Sequence, residues 1–150
     1  MRIDEMLSSR HVHFEAMHHR PTFTANRMAQ VLHVPGKEVA KSVLLRSGGD
    51  YVLVVLPATH YVDMERIRRR LGEENVEMAS EDEIASMFPD CEPGAMPPFG
   101  SMYDVHTLVD ESLAEDEEIV FENQSHAEAI RMRFEDYETL EHPIKGRFSY

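Results

Sequence analysis

Two groups of residues in this sequence have the types and spacing to do chemistry. Lys41 opens the run Lys41-Ser42-Val43-Leu44-Leu45. Alternation along a strand puts its ammonium on the same face as Val43 and Leu45. A lysine there must find a counter-charge, reach a cleft mouth or snorkel to water. It is either a strand-end lysine in solvent or a cation presented to a ligand phosphate. The second group is the loop Pro93-Gly94-Ala95-Met96-Pro97-Pro98-Phe99-Gly100. Gly94 permits a positive φ or a close backbone approach, and Pro97 and Pro98 stiffen the loop. The N–H groups of Gly94, Ala95 and Met96 are left over, and a rigid loop with exposed donors suits a carbonyl or an oxyanion. A plain proline-rich connection accounts for the same residues.

Other candidates are weaker. His11 and His13 would share one strand face, with His18 and His19 following. No Asp, Glu or Cys sits at a tight ligand spacing to complete a metal site, and a solvated strand face is the plainer account. Cys91, the single cysteine, lies in a loop without a nucleophile signature around it and reads as a structural or incidental thiol. There is no G-x-S-x-G and no phosphate-binding G-x-x-x-x-G-K-[ST] motif.

The elements that must position these groups alternate between helix and strand. Ile3, Met6 and Leu7 form one face of a short helix. Val12, Phe14 and Ala16 alternate with polar residues as in a half-buried strand. Thr24 caps a helix with Ala25, Met28, Ala29 and Leu32 on its inner face, and Pro35-Gly36 stops it. Residues 40–46 and 51–56 flank Ser47-Gly48-Gly49-Asp50, a hairpin signal. Residues 52–56 are apolar throughout and should be covered on both faces. A helix over 63–71 turns Met64, Ile67 and Leu71 inward and closes at Gly72. A short strand follows at 76–78, then a helix opened by a Ser80/Glu83 capping box with Ile84, Ala85 and Phe88 inside. Residues 89–100 form a loop. Strands near 102–109, 118–121 and 127–133 precede a last helix over about 135–140.

The chain has 150 residues, enough for one domain with a single core, so residues 1–150 are expected to form one unit. No apolar run is long enough to cross a membrane, and the N-terminus lacks the apolar core of a signal peptide. A soluble cytoplasmic protein without a membrane partner is expected. The 28 Asp and Glu against 15 Lys and Arg leave a net charge of −13. Such a field repels phosphate and disfavours non-specific nucleic-acid binding. The acid is concentrated in residues 110–122, which read as a solvated loop and strand edge. The main basic cluster, Arg66, Arg68, Arg69 and Arg70, leaves room for a local cationic face.

The order of these pieces resembles the YbaK/prolyl-tRNA editing domain family, the trans-editing aminoacyl-tRNA deacylases. Thr22-Phe23-Thr24-Ala25 leads into the first long helix. Val39-Ala40-Lys41-Ser42-Val43-Leu44-Leu45 is similar to the family's lysine strand, and Val52-Leu53-Val54-Val55-Leu56-Pro57-Ala58 to the strand after it. The helix over 63–72 follows, and Gly94-Ala95-Met96-Pro97-Pro98-Phe99-Gly100 is similar to the family's G-x-x-x-P loop. The resemblance covers roughly residues 10–140.

It implies an α/β fold of the mixed α+β kind: a mixed sheet, partly closed like a barrel, with helices around it. It also implies a cleft between the lysine strand and the glycine–proline loop. The implied activity is hydrolysis of the ester joining a wrong amino acid to tRNA, with Ala- and Cys-tRNA(Pro) as leading substrates and no metal or cofactor. The implied partners are the acceptor end of a mischarged tRNA and an aminoacyl-tRNA synthetase. Lys41 and Gly94 take the catalytic positions. Thr22, Ala95, Met96, Pro97, Pro98, Gln124 and His126 take the substrate-binding ones, with His126 either in the cleft wall or structural at a strand end. The chain departs from several relatives at Asn123-Gln124-Ser125-His126, where Gln124 stands at a glycine position. That departure and the acidic stretch keep a second reading open, a catalytically inactive binding module for a synthetase or other protein. Hydrolysis of a different small ester or nucleotide conjugate in the same cleft is a third.

Overall fold

The computed structural model describes residues 2–150. In chain order they form α1 (Ile3–Ser9), β1 (Phe14–His18), α2 (Ala25–Leu32), β2 (Ala40–Ser47), β3 (Asp50–Pro57), α3 (Met64–Leu71), β4 (Val76–Met78) and α4 (Glu81–Met87). There follow β5 (His106–Asp110), β6 (Glu118–Glu122), β7 (Glu128–Arg133), α5 (Phe134–Glu141) and β8 (Ile144–Gly146). This is the expected mixed α+β fold, without closure into a barrel. The strands divide into a five-stranded sheet, β4-β2-β3-β5-β8, and a three-stranded sheet, β1-β7-β6.

The β2–β3 hairpin is the centre of the larger sheet. Its register runs from Ala40↔Pro57 to Ser47↔Asp50, which leaves Gly48-Gly49 at the turn. Gly48 has φ of 61°, a region that glycine enters freely. The apolar run in β3 separates two layers. Leu53 and Val55 face α1, Phe88, Phe99, β7 and α5, while Val52, Val54 and Leu56 face Ile67, Val76, Leu108 and Phe148. Burying each such side chain contributes about 1.5–3 kcal/mol.

Helix starts follow local chemistry. The Thr24 hydroxyl accepts from Arg27 N–H at 3.1 Å. Ser80 and Glu83 form the expected reciprocal capping box, at 3.1 and 2.9 Å. Asp63 caps α3, and Gly72 ends it at φ 65°. Each cap contributes about 1 kcal/mol.

Several boundaries differ from the sequence reading. His33 ends α2 in the left-handed region, ahead of Pro35-Gly36. In β1 the half-buried residues are Phe14 and Met17, on opposite faces, with Ala16 exposed; Phe14 packs with the cluster of Leu53 and Phe99, and Met17 with that of Val39 and Val120. His11 sits in a positive-φ turn before β1, so it does not share a strand face with His13. The strand anticipated near 102–109 begins only at His106, because Gly100–Tyr103 forms a 3₁₀ turn. Glu141 holds that turn by accepting from Ser101 N–H at 3.0 Å. The short β8 had no sequence signal. Among the described residues, no helix is long and apolar enough to cross a membrane.

The two sheets meet at one parallel bridge, Val39↔Val120. Helix α2 covers this seam, where Met28 and Ala29 pack with Val39, Ala58, Val120 and Ala129. Strand alternation then dictates the site. Two residues beyond the bridge on each strand come Lys41 and Glu122, the next side chains on the same faces.

Candidate active site

A cavity of ≈160 Å³ opens at the seam. A cavity of about 150 Å³ is enough to hold a benzene ring. Lys41 and Ser42 of β2 form one wall, Gly94 and Met96 another, and Glu122 at the end of β6 stands between them. Phe23, Thr24 and Met28 close the α2 side. The sequence-derived pair of Lys41 strand and Gly94 loop therefore does converge on one cleft.

Lys41 is held by neutral groups. Its Nζ donates to the Ala58 carbonyl at 3.3 Å and lies 5.6 Å from the centre of the Tyr61 ring. It forms no ion pair among the described residues, and partial burial lowers its pKa. Its ammonium thus lacks a counter-charge at the edge of the cavity.

The loop presents fewer donors than the sequence implied. Ala95 N–H is spent locally on the Glu92 carbonyl at 3.0 Å, which closes a tight turn. Gly94 and Met96 N–H find no acceptor among the described residues. Gly94 has φ of 83°, where a side chain would be strained. Pro97 and Pro98 are buried behind the cavity, and the Pro98 carbonyl accepts from Tyr137 at 2.7 Å. Together with Ala95 they brace the loop from behind.

His126 lies behind Gly94. Its Nε2 donates to the Pro93 carbonyl at 2.6 Å, and its ring packs on Phe23 with centroids 5.1 Å apart. Its Nδ1 is 3.3 Å from Glu122 Oε2, within ion-pair distance but out of hydrogen-bond alignment. Burial is the main cause that pushes the Glu122 carboxyl up to about 7. Attraction to His126 works against the shift, and repulsion from Glu92 adds to it. Glu122 Oε2 and Ser42 Oγ are buried without hydrogen-bond partners. Buried polar atoms are rarely left so, and a ligand in the cavity would satisfy them.

Thr22 is buried outside the lining. Its N–H bonds the His126 carbonyl at 2.9 Å, and its hydroxyl is unpartnered. Gln124 turns its side chain away from the cavity. Its amide donates to Asp90 at 3.0 Å and Tyr103 at 2.9 Å, and its oxygen accepts from Ile3 N–H at 3.3 Å. The backbone of Gln124 has φ of 67°, a region that glycine enters more freely than other residues. A non-glycine residue there costs about 1–2 kcal/mol, which these bonds offset. Glu122, Ser42 and Phe23 had not been singled out. Glu122 was hidden in the acidic run, and only the bridge at Val120 assigns it to the cleft. Burial pushes the Cys91 thiol up to about 11, which leaves little thiolate at neutral pH.

Apart from this cavity, Arg66, Arg69 and Arg70 line an open groove of ≈240 Å³ with Arg147 and Phe148.

Comparison with known proteins bears on the family and the fold. Residues 19–140, which include every site residue named above, match the aminoacyl-tRNA editing domain. The proline–tRNA ligase of Staphylococcus saprophyticus is 31% identical over 75 residues, half of this chain and 13% of the ligase. That of Staphylococcus aureus (strain Newman) is 28% identical over the same length. The chain thus spans only about an eighth of those relatives. Among solved structures, a hypothetical protein superposes with a TM-score of 0.91 at 16% identity, over the whole of both chains. A candidate trans-editing enzyme for prolyl tRNA synthetase gives 0.87 at 18%, covering 99% of this chain and 95% of its own. At these identities the structural likenesses establish the fold. The sequence match establishes the family: the chain belongs to the aminoacyl-tRNA editing domains.

Proposed function

We propose that the protein is a free-standing aminoacyl-tRNA deacylase that hydrolyses the ester of a mischarged tRNA, with Ala- and Cys-tRNA(Pro) as first candidates. Residues 1–150 act as one editing unit, and a prolyl-tRNA synthetase is the natural partner by kinship with the ligases. One observation carries the reading. A lysine without a counter-charge and two amide N–H groups without acceptors, among the described residues, line the same small cavity.

An aminoacyl ester is already activated, so positioning and backbone electrostatics can provide much of the acceleration. The N–H groups of Gly94 and Met96 receive the carbonyl oxygen and stabilise the charge that develops on it. Lys41 receives the anionic end of the terminal nucleotide. Glu122 faces the α-ammonium of the amino acid, a cation that adds to the attraction of His126 in offsetting the burial of its carboxylate. Water adds to the carbonyl carbon, the bond to the ribose oxygen breaks, and the ribose oxygen takes up the proton. Met96, Met28 and Phe23 limit the side chain admitted, as a size sieve.

Gln124 leaves the cavity open, which favours the hydrolase over the inactive binding module. The test is deacylation of a panel of mischarged tRNAs by wild type and Lys41→Ala, with and without EDTA. Hydrolysis of one member that falls in the variant and is unaffected by EDTA is expected. A folded protein that hydrolyses no member at low salt would overturn the reading.

A further inference from the structure

Three aromatic side chains are strongly exposed among the described residues: Phe23, Tyr61 at 68% and Tyr150 at 70%. They are not scattered. Phe23 lines the same cavity as Lys41, Tyr61 lies beneath the Lys41 ammonium, and Tyr150 packs on Tyr61 with ring centroids 5.9 Å apart. The last pair is held by rigid backbone. Tyr61 and Tyr150 exchange two hydrogen bonds, at 2.8 and 2.9 Å, and Asp63 N–H bonds the Phe148 carbonyl at 2.8 Å. His60 fastens the same segment through Ser149, at 2.8 Å. The rings therefore form a fixed shelf beside the cavity mouth.

The segment that carries Tyr150 also carries Arg147 into the arginine groove. Arg70 stacks 6.0 Å from the centre of the Phe148 ring. Arg69, Arg70 and Arg147 form no ion pair among the described residues. In a chain of net charge −13, three arginines without acidic partners in one place call for an external anion. Stacking faces beside a cationic groove are the device by which proteins hold unpaired nucleotides, with the rings taking bases and the cations taking phosphates.

We propose that Tyr61 and Tyr150 stack the unpaired nucleotides at the 3′ end of an RNA substrate while Arg70 and Arg147 take its phosphates, so that the terminal ester is led to Lys41. This rests on the deacylase reading for its direction, but its test does not. The probe is an unacylated, fluorescently labelled RNA hairpin ending in four unpaired nucleotides, compared with the same hairpin blunt-ended, by anisotropy at several salt concentrations.

The tailed hairpin should bind at least about tenfold more tightly. Tyr61→Ala and Tyr150→Ala should each weaken the tailed hairpin about tenfold and leave the blunt one unchanged, while Tyr→Phe at either position should retain binding. Arg70→Gln or Arg147→Gln should weaken binding and reduce the salt slope by about 0.7. Equal affinity for tailed and blunt hairpins, or wild-type affinity in folded Tyr→Ala variants, would overturn the shelf. Deacylation with an unaltered KM in those variants would sink the shelf while the deacylase reading stands. Tail-dependent binding without hydrolysis would do the reverse.

Discussion

Replacing Glu122 by glutamine tests how the cavity treats charge. The folded protein raises this carboxyl from 4.5 to about 7, with burial as the largest cause. Below pH 4.5 both folded and unfolded states hold the proton, and the group favours neither. As pH rises from 4.5 to 7, the unfolded chain releases its proton while the folded one keeps it. Stability is lost through that window and levels off above it. The shift corresponds to about 3 kcal/mol at pH 8. Glu122→Gln preserves the shape and removes the titration. The stability of the variant relative to wild type should therefore increase by about 3 kcal/mol between pH 4.5 and pH 8. For a chain of this length that is about 6–12 °C in Tm. Urea or thermal denaturation of both proteins at matched pH values reads it directly, because titrating groups that do not interact with Glu122 cancel in the difference. A difference that stays constant across the window would refute the claim that the carboxyl is held in a desolvated wall.

Other predictions follow from individual contacts. Lys41→Ala removes a cation that forms charge-assisted bonds to a ligand, so kcat/KM for deacylation should fall about 10- to 100-fold. Its Tm should hold or rise, since burial already disfavours the ammonium. Gly94→Ala should cost about 1–2 kcal/mol in urea denaturation through its φ of 83°, because an added Cβ finds room 3.6 Å from the His126 ring. Gln124→Gly relieves a strained backbone but loses the bonds to Asp90, Tyr103 and Ile3. It should lower stability by about 1–2 kcal/mol and leave kcat/KM unchanged; a large change in KM would place Gln124 in contact with substrate.

The legible parts of the molecule were those fixed by neighbouring residues. The Gly48-Gly49 hairpin, the Thr24 cap and the Ser80/Glu83 box each depend on residues within four positions. What was illegible depends on distant partners. The 3₁₀ turn at Gly100–Tyr103 is held by Glu141, forty residues away. The Tyr61–Tyr150 pair depends on a bridge between Val62 and Ser149. The Ala95 N–H is an instructive intermediate case. A loop that starts from Gly94 leaves three candidate donors on paper, but the turn from Glu92 consumes one of them. The position of Gln124 reverses the same lesson. The resemblance put Gln124 among the substrate-binding residues, yet its backbone takes a positive φ and its side chain turns away from the cavity to Asp90 and Tyr103.

The location of the site follows from one interaction. Two sheets that meet at a parallel bridge must orient the residues after that bridge in common. Val39↔Val120 therefore puts Lys41 and Glu122 on the walls of one space. Neither is fully compensated by its neighbours: the lysine meets a carbonyl and a ring, and the carboxyl is driven toward neutrality by burial despite the attraction of His126. A ligand carrying only an anion, or only a cation, would relieve one of them. An aminoacyl ester on a terminal nucleotide carries an ammonium beside its carbonyl and a phosphate on the far side of the ribose. It would relieve Lys41, the Gly94 and Met96 amides, and Glu122 together. The unsatisfied groups of the cavity are thus complementary, group by group, to the ester whose hydrolysis we propose.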